Sequence, residues 1–256
     1  MYWRSPLREL RWGAVRVLAP RRVVRARGLR FTLQCENAIT HYRWRTYDAK
    51  EPETLDWIDR SVRAGDTVFD VGANIGVYTL YAAHRQPTAR VVAFEPEYAN
   101  LHLLRDNLVA NGLAERVTVY AVALSNRCGL SRLHLQSLAP GSALHTEARE
   151  PLERTLAGRP VIWREGICAI TLDEFCKETG IRPDVVKIDV DGSERHVLEG
   201  ADETLRWHGL RSLLIEMPED PAERTACEQL LQRAGLRCEW WDSRGASWNQ
   251  IWARGA

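Results

Sequence analysis

From residue 53 onward, short apolar runs alternate with stretches whose apolar residues recur at helical spacing. That alternation restricts the fold more than any other feature of the chain. Runs at 67–71 (TVFDV), 90–95 (RVVAFE), 117–124 (VTVYAVAL), 184–190 (DVVKIDV) and 211–217 read as buried strands. Between them, single helical faces are marked by Leu55, Ile58 and Val62, by residues 75–83, by Leu101, Leu104 and Leu108, and by Val197, Leu198, Ala201 and Leu205. Asp220, Pro221 and Glu223 open one more helix with an N-cap, a proline at its first position and a capping box. Residues 236–241 and 247–252 then read as a hairpin around Ser243-Arg244-Gly245. Strands alternating with helices build a parallel sheet covered on both faces, closed here by an antiparallel hairpin at one edge. Ligands in such sheets bind beyond the C-terminal strand ends, so functional residues are expected just after strands one to four.

Length and composition agree with one large domain. The 256 residues suffice for a core without disulfides or structural metals. At 45% apolar and 27% charged, the chain is not a disordered, collagen-like or coiled-coil sequence. Its six cysteines form neither C-x-x-C nor a zinc-finger spacing, which suits a reducing compartment. Arg11 and Arg16 interrupt any signal-peptide core, and no uncharged apolar run reaches 18 residues, so a cytoplasmic protein is expected. Residues 126–170 break the strand–helix rhythm. Strands are expected at 131–135 and 161–168, around a loop with Pro140, Gly141 and Pro151, and Thr171 with Glu174 caps a short helix after them.

Strand one runs into Asp70-Val71-Gly72-Ala73-Asn74-Ile75-Gly76. The glycines and Ala73 let the backbone approach a ligand closely. The dinucleotide fingerprint G-x-G-x-x-G fails, because Asn74 and Val77 stand where glycines belong. A carboxylate at Asp70 disfavours a phosphate and favours an ammonium, which points to S-adenosylmethionine (SAM). Glu95 ends strand two, where a carboxylate accepts ribose hydroxyls in SAM and NAD alike.

Strand four ends in Lys187-Ile188-Asp189-Val190-Asp191-Gly192-Ser193-Glu194. Strand periodicity puts Lys187 and Asp189 on one side. Charges within an apolar strand are costly unless paired or used. Three readings stand: an ion pair that orders the loop, an acceptor site with Asp189 as base or orienting group, and a Mg²⁺ site at Asp189 and Asp191. The last is disfavoured, since two carboxylates rarely hold Mg²⁺ alone. His196, in the following helix, is the second candidate base.

Taken in order, Phe69–Thr79 (FDVGANIGVYT), Ala93-Phe94-Glu95-Pro96, Thr171-Leu172-Asp173, and the strand-four motif with Leu198-Glu199-Gly200-Ala201 resemble the FkbM family of SAM-dependent methyltransferases over about residues 51–216. The resemblance implies a class I methyltransferase (Rossmann-like) fold with strand order 3-2-1-4-5-7-6, and methylation of an acceptor oxygen on a sugar, glycolipid or secondary metabolite. It implies that Asp70, Gly72, Ala73, Asn74 and Gly76 hold the methionine end, Glu95 the ribose, and Ala123, Leu124 and Ser125 the adenine. Lys187 and Asp189, with His196, are the candidate catalytic residues, and Asp191, Glu194, Glu216 and Ser142 the candidate acceptor contacts, Ser142 because the Gly141-Ser142 pair resembles a short element of the family; Asp191 departs from the glutamate common in the family. Two other readings are a SAM-fold binding protein without catalysis and, disfavoured by the glycine spacing, a nicotinamide-dependent oxidoreductase.

The net charge of +1 conceals an asymmetry: residues 1–30 carry nine arginines and one acid, whereas the remainder has 26 basic and 33 acidic residues. Codon usage accounts for an arginine-rich chain without any function. The acidic remainder speaks against a nucleic-acid substrate. Residues 1–45 are expected to be a basic arm and 46–256 the catalytic domain, with 126–170 as an acceptor-side insertion. Trp3, Leu7, Leu10, Ala14, Val17 and Leu18 recur at helical spacing within the arm, a pattern for docking on the domain or on an anionic membrane.

Overall fold

A computed structural model describes residues 21–154, 158–242 and 247–255. The expected amphipathic helix within residues 1–20 and the expected hairpin turn lie outside the described residues.

The chain enters as a hairpin of β1 (Arg21–Ala26) and β2 (Leu29–Gln34), paired antiparallel with Ala26 opposite Leu29. Arg27 and Gly28 both have positive φ, 49° and 81°, the conformation of a tight two-residue turn. Val24, Ala26, Phe31 and Leu33 are buried in the same core cluster as the helices that follow. Helix α1 (Ala38–Arg45) is started by a capping box between Asn37 and Thr40, and α2 (Pro52–Ser61) by its N-terminal proline.

The main sheet then begins with β3 (Thr67–Val71), α3 (Val77–Arg85), β4 (Arg90–Phe94), α4 (Tyr98–Ala110) and β5 (Val117–Tyr120). After an excursion through β6 (Ala123–Leu124), β7 (Gly129–Leu135), β8 (Thr146–Glu147), β9 (Trp163–Ile170) and α5 (Leu172–Thr179), it resumes with β10 (Val185–Ile188), α6 (Glu194–Glu199), α7 (Asp202–Arg206) and β11 (Ser212–Glu216). Helix α8 (Pro221–Arg233) and the strands β12 (Leu236–Trp241) and β13 (Asn249–Arg254) complete it. The spatial order is β5-β4-β3-β10-β11-β13-β12, which in sheet-strand numbers is 3-2-1-4-5-7-6. All neighbours are parallel except β13, which runs antiparallel to both β11 and β12.

Alternation along the strands sorts the core into two layers. Val68, Val185 and Leu214 pack with Trp57, Leu80 and Leu104 of α2, α3 and α4. Phe69, Val186 and Leu213 pack with Phe175, Val197 and Leu231 of α5, α6 and α8. Each such fully buried side chain contributes about 1.5–3 kcal/mol.

Two expected boundaries move for local reasons. Residues 117–124 are not one strand. Glu95 N–H donates to Tyr120 O at 3.1 Å, and the next donor on that side, Glu97 N–H, is turned onto Glu95 Oε1 at 2.9 Å and cannot extend the ladder. The chain therefore leaves the sheet after Tyr120, and Ala123–Leu124 pairs with β9 in a separate four-stranded sheet, β6-β9-β7-β8. The helix expected from residue 75 starts at Val77, because Asn74 (φ 51°) and Gly76 (φ 88°) hold left-handed conformations. The strands expected at 131–135 and 161–168 are β7 and β9, paired antiparallel. Among the described residues, no helix is long and apolar enough to cross a membrane.

Candidate active site

The turn after β3 is built to bring three strand ends together. Gly72 and Ala73 both donate to Phe94 O at 3.0 Å. A Cβ on Gly72 would lie 1.8 Å from Asp189 O, so only glycine lets β10 end this close. Asn74 N–H donates to Glu95 Oε2 at 2.7 Å, and Glu97 N–H to Glu95 Oε1 at 2.9 Å. Two backbone donors thus fix the Glu95 carboxyl, while burial pushes its pKa up to about 8.

Residues 141–145 form a strap over this turn. Ser142 O accepts from Asn74 Nδ2 at 2.7 Å and from Asn100 Nδ2 at 3.1 Å, and Gly141 N–H donates to Asn100 Oδ1 at 2.7 Å. Further along, Leu144 N–H donates to Asp191 Oδ2 at 2.7 Å. The strap therefore ties the end of β3 to the end of β10 and roofs a cleft of about 70 Å³. Facing into it, His145 is 7% exposed, and neither ring nitrogen has a hydrogen-bond partner among the described residues. Burial lowers its pKa to about 4, so the ring is neutral near pH 7.

Beside the cleft, charged groups converge under α3. Lys187, 3% exposed, lies 2.9 Å from Asp189 Oδ2 and 3.9 Å from Asp70 Oδ1, with its ammonium 5.0 Å from the centre of the Tyr78 ring. Thr79 Oγ1 donates to Asp70, and the Tyr78 hydroxyl donates to Glu51 at 2.6 Å. Burial raises the Asp189 carboxyl, but the Lys187 charge and a hydrogen bond from Glu216 outweigh it and hold Asp189 well below the ordinary range. The Asp189 charge, followed by burial, pushes Glu216 up to about 10, so Glu216 carries the proton they share. Burial and then the Asp189 charge push Asp191 up to about 7. Oxygen atoms of Asp189, Asp191 and Glu216 lie within 4.8 Å of one another, a set with the chemistry to hold a cation.

Eight of the residues singled out from sequence line the cleft: Gly72, Asn74, Glu95, Ala123, Leu124, Ser142, Asp189 and Asp191. Asp70 does not; alternation along β3 puts it on the Val68 face, against Lys187 and Thr79. Ala73 and Gly76 shape the turn, and Ser125 donates to Glu147 at 3.3 Å. Glu194 staples its own loop, accepting from Val190 N–H and Gly192 N–H at 3.3 and 3.0 Å. Lys187 and Glu216 sit behind Asp189, and His196 is exposed on α6 outside the cleft. Sequence reasoning missed Asn100 and His145. Asn100 lies in the first turn of α4 with no motif around it, and His145 reaches the cleft only through the path of the strap.

The strand order, the glycine turn and the acidic residue ending the second strand define a class I SAM-dependent methyltransferase. Fibrillarin of Aeropyrum pernix, solved with natively bound SAM, shares this fold at a TM-score of 0.51 and 13% identity, over 91% of this chain and 82% of that one. Residues 70–237 match the family described as the methyltransferase FkbM domain, and the chain belongs to that family. It is 33% identical over 176 residues to the 31-O-demethyl-FK506 methyltransferase FkbM of Streptomyces tacrolimicus, over 61% of this chain and 66% of that protein. It is 28% identical over 215 residues to the hexuronic acid methyltransferase AglP of Haloferax volcanii, over 82% of this chain and 78% of that protein. The orphaned nitrogens of His145 and the fixed Glu95 carboxyl make the cleft a fit for a polar ligand such as SAM.

Proposed function

We propose that this enzyme methylates a hydroxyl oxygen of a sugar, glycolipid or other secondary metabolite, with Asp189 aligning the acceptor. The observation that carries this reading is the Asp189 carboxylate itself. It is held ionised by Lys187 and Glu216, and it opens on the same cleft as Asn74 and Glu95. The name of the FkbM relative, a 31-O-demethyl methyltransferase, supports an oxygen acceptor.

When bound, SAM supplies an electrophilic methyl on a sulfonium, so the protein's task is alignment. Gly72 and Asn74 are assigned to the methionine end, Glu95 to the ribose, and Ala123 and Leu124 to the adenine. A carboxylate held as acidic as Asp189 is a weak Brønsted base but a strong hydrogen-bond acceptor, which suits it to orient a hydroxyl. Asp191, at about 7, is better matched to take the proton. His196 receives no role. Asp189 is already committed to the Lys187 ammonium and to the Glu216 proton, so the three carboxylates are read as a proton-sharing cluster, and the reaction as needing no Mg²⁺.

The enzyme is read as cytoplasmic, with the basic segment 1–30 docking on the domain or on an anionic membrane; because residues 21–30 belong to the β1–β2 hairpin, whose Val24 and Ala26 are in the core, liposome pelleting with and without residues 1–20 separates the two. For the activity itself, calorimetric titration with SAM, its demethylated product and NAD is the test. Binding of the first two is expected, and NAD binding without a SAM response overturns the reading.

A further inference from the structure

Across the strap from the cleft lies a second groove of about 310 Å³. Its walls include Tyr42 and Arg43 of α1, Lys50, Leu144 of the strap, and Arg159. Three of its lining side chains are cationic and none is acidic. Beyond residue 30 the chain has more acids than bases, so this grouping runs against the background.

The groove is joined to the acidic cluster. Ser142 lines both groove and cleft, and Leu144 lines the groove while its N–H holds Asp191. Arg43 Nε donates to Gly141 O at 2.8 Å, which fixes the guanidinium at the groove wall. Lys50 pairs with Glu51. The charges of Arg43 and Lys50 reach Asp191 and Asp189, stabilising their ionised forms. Tyr42, 54% exposed, offers an aromatic face beside the cations.

We propose that this groove seats the methyl acceptor and that the acceptor carries an anionic group, a carboxylate or a phosphate, held by Arg43, Lys50 and Arg159 while its hydroxyl meets Asp189. The inference rests on the methyltransferase reading above. An anionic acceptor approaching Asp189 and Asp191 is repelled unless its charge is countered, and cations on one side of the strap with carboxylates on the other fix its orientation. In the step, the acceptor oxygen bonds the methyl carbon, the methyl–sulfur bond breaks with its pair going to sulfur, and the hydroxyl proton goes to Asp191. The anionic group takes no part, so the product keeps its charge.

The test uses the full chain with methyl-labelled SAM and a small-molecule and lipid extract of the source cells, resolved on an anion exchanger at pH 7. Label retained on the exchanger is expected, and phosphatase treatment that releases it identifies a phosphate instead of a carboxylate. Label in the flow-through overturns the inference and leaves the methyltransferase reading standing, whereas no labelled product with SAM bound overturns both. The double variant Arg43→Gln/Lys50→Gln is expected to lower retained label about tenfold, the loss of charge-assisted hydrogen bonds, with affinity for the demethylated cofactor unchanged. Retained label at the wild-type level in that variant also overturns it.

Discussion

Lys187 Nζ lies 2.9 Å from the Asp189 carboxylate and 3.9 Å from that of Asp70, so one buried ammonium joins the ends of β3 and β10. Removing it leaves Asp70, itself 3% exposed, without a cation. Breaking a buried pair from one side is far more costly than replacing both partners. Lys187→Met is therefore expected to lower stability by about 3–5 kcal/mol in urea unfolding. A loss below about 1 kcal/mol would mean that the pair does not hold the strand ends.

Asp189 and Glu216 share a proton but should differ sharply on substitution. Asp189→Asn removes the ionised acceptor and is expected to cut turnover by about 100-fold or more, the usual scale for a lost acid–base or orienting group. SAM affinity should stay within a few-fold. Glu216→Gln keeps a neutral hydrogen-bond donor where Glu216 holds its proton, so its effect on turnover should be only a few-fold. Full activity of Asp189→Asn on the true acceptor would remove Asp189 from the chemistry.

The pH profile should report Asp191. Its pKa is raised to about 7, so it is protonated below that pH and ionised above it. A base must be ionised to act, so kcat/KM for the acceptor is expected to fall as pH drops through about 7. Asp191→Asn should lower the rate and flatten this acidic limb. An unchanged limb in that variant would assign the ionisation to another group.

The Asp189, Asp191 and Glu216 oxygens are close enough to draw in a cation, yet Lys187 and the shared proton already neutralise Asp189 and Glu216. Activity is expected to be unchanged in excess EDTA and not restored or raised by added Mg²⁺. A loss on chelation that Mg²⁺ reverses would turn the cluster into a metal site.

Local signals made most of this architecture legible. Apolar runs and caps marked the seven core strands and their helices, and the ordered motifs placed Gly72, Asn74, Glu95 and Asp189 at adjoining strand ends. What sequence hid depends on contacts between distant segments. Asp70 reads as a ligand residue because its motif is contiguous, yet strand alternation turns it to the Lys187 side. The break after Tyr120 follows from Glu97 N–H turning onto Glu95 Oε1 beyond the neighbouring strand, not from anything within 117–124 itself. Asn100 and His145 enter the site only because the strap crosses from α4 to Asp191.

The close approach of Gly72 to β10 gives the most direct test of the site's geometry. Gly72 and Gly65 have φ values of +79° and +81°, so alanine pays a similar backbone penalty at either position. They differ in surroundings: a Cβ at Gly65 meets nothing within 4 Å, whereas one at Gly72 meets Asp189 O at 1.8 Å. Gly65→Ala should therefore cost about 1–2 kcal/mol, the backbone penalty alone. Gly72→Ala adds an overlap with backbone that only separation of β3 from β10 relieves. Its stability loss is expected to exceed that of Gly65→Ala by about 2 kcal/mol or more. Displacing the Asp189 backbone should also weaken SAM binding and lower turnover together, readouts that Gly65→Ala leaves alone. Equal losses for the two variants in urea unfolding would contradict the packing of the Gly72 turn against β10.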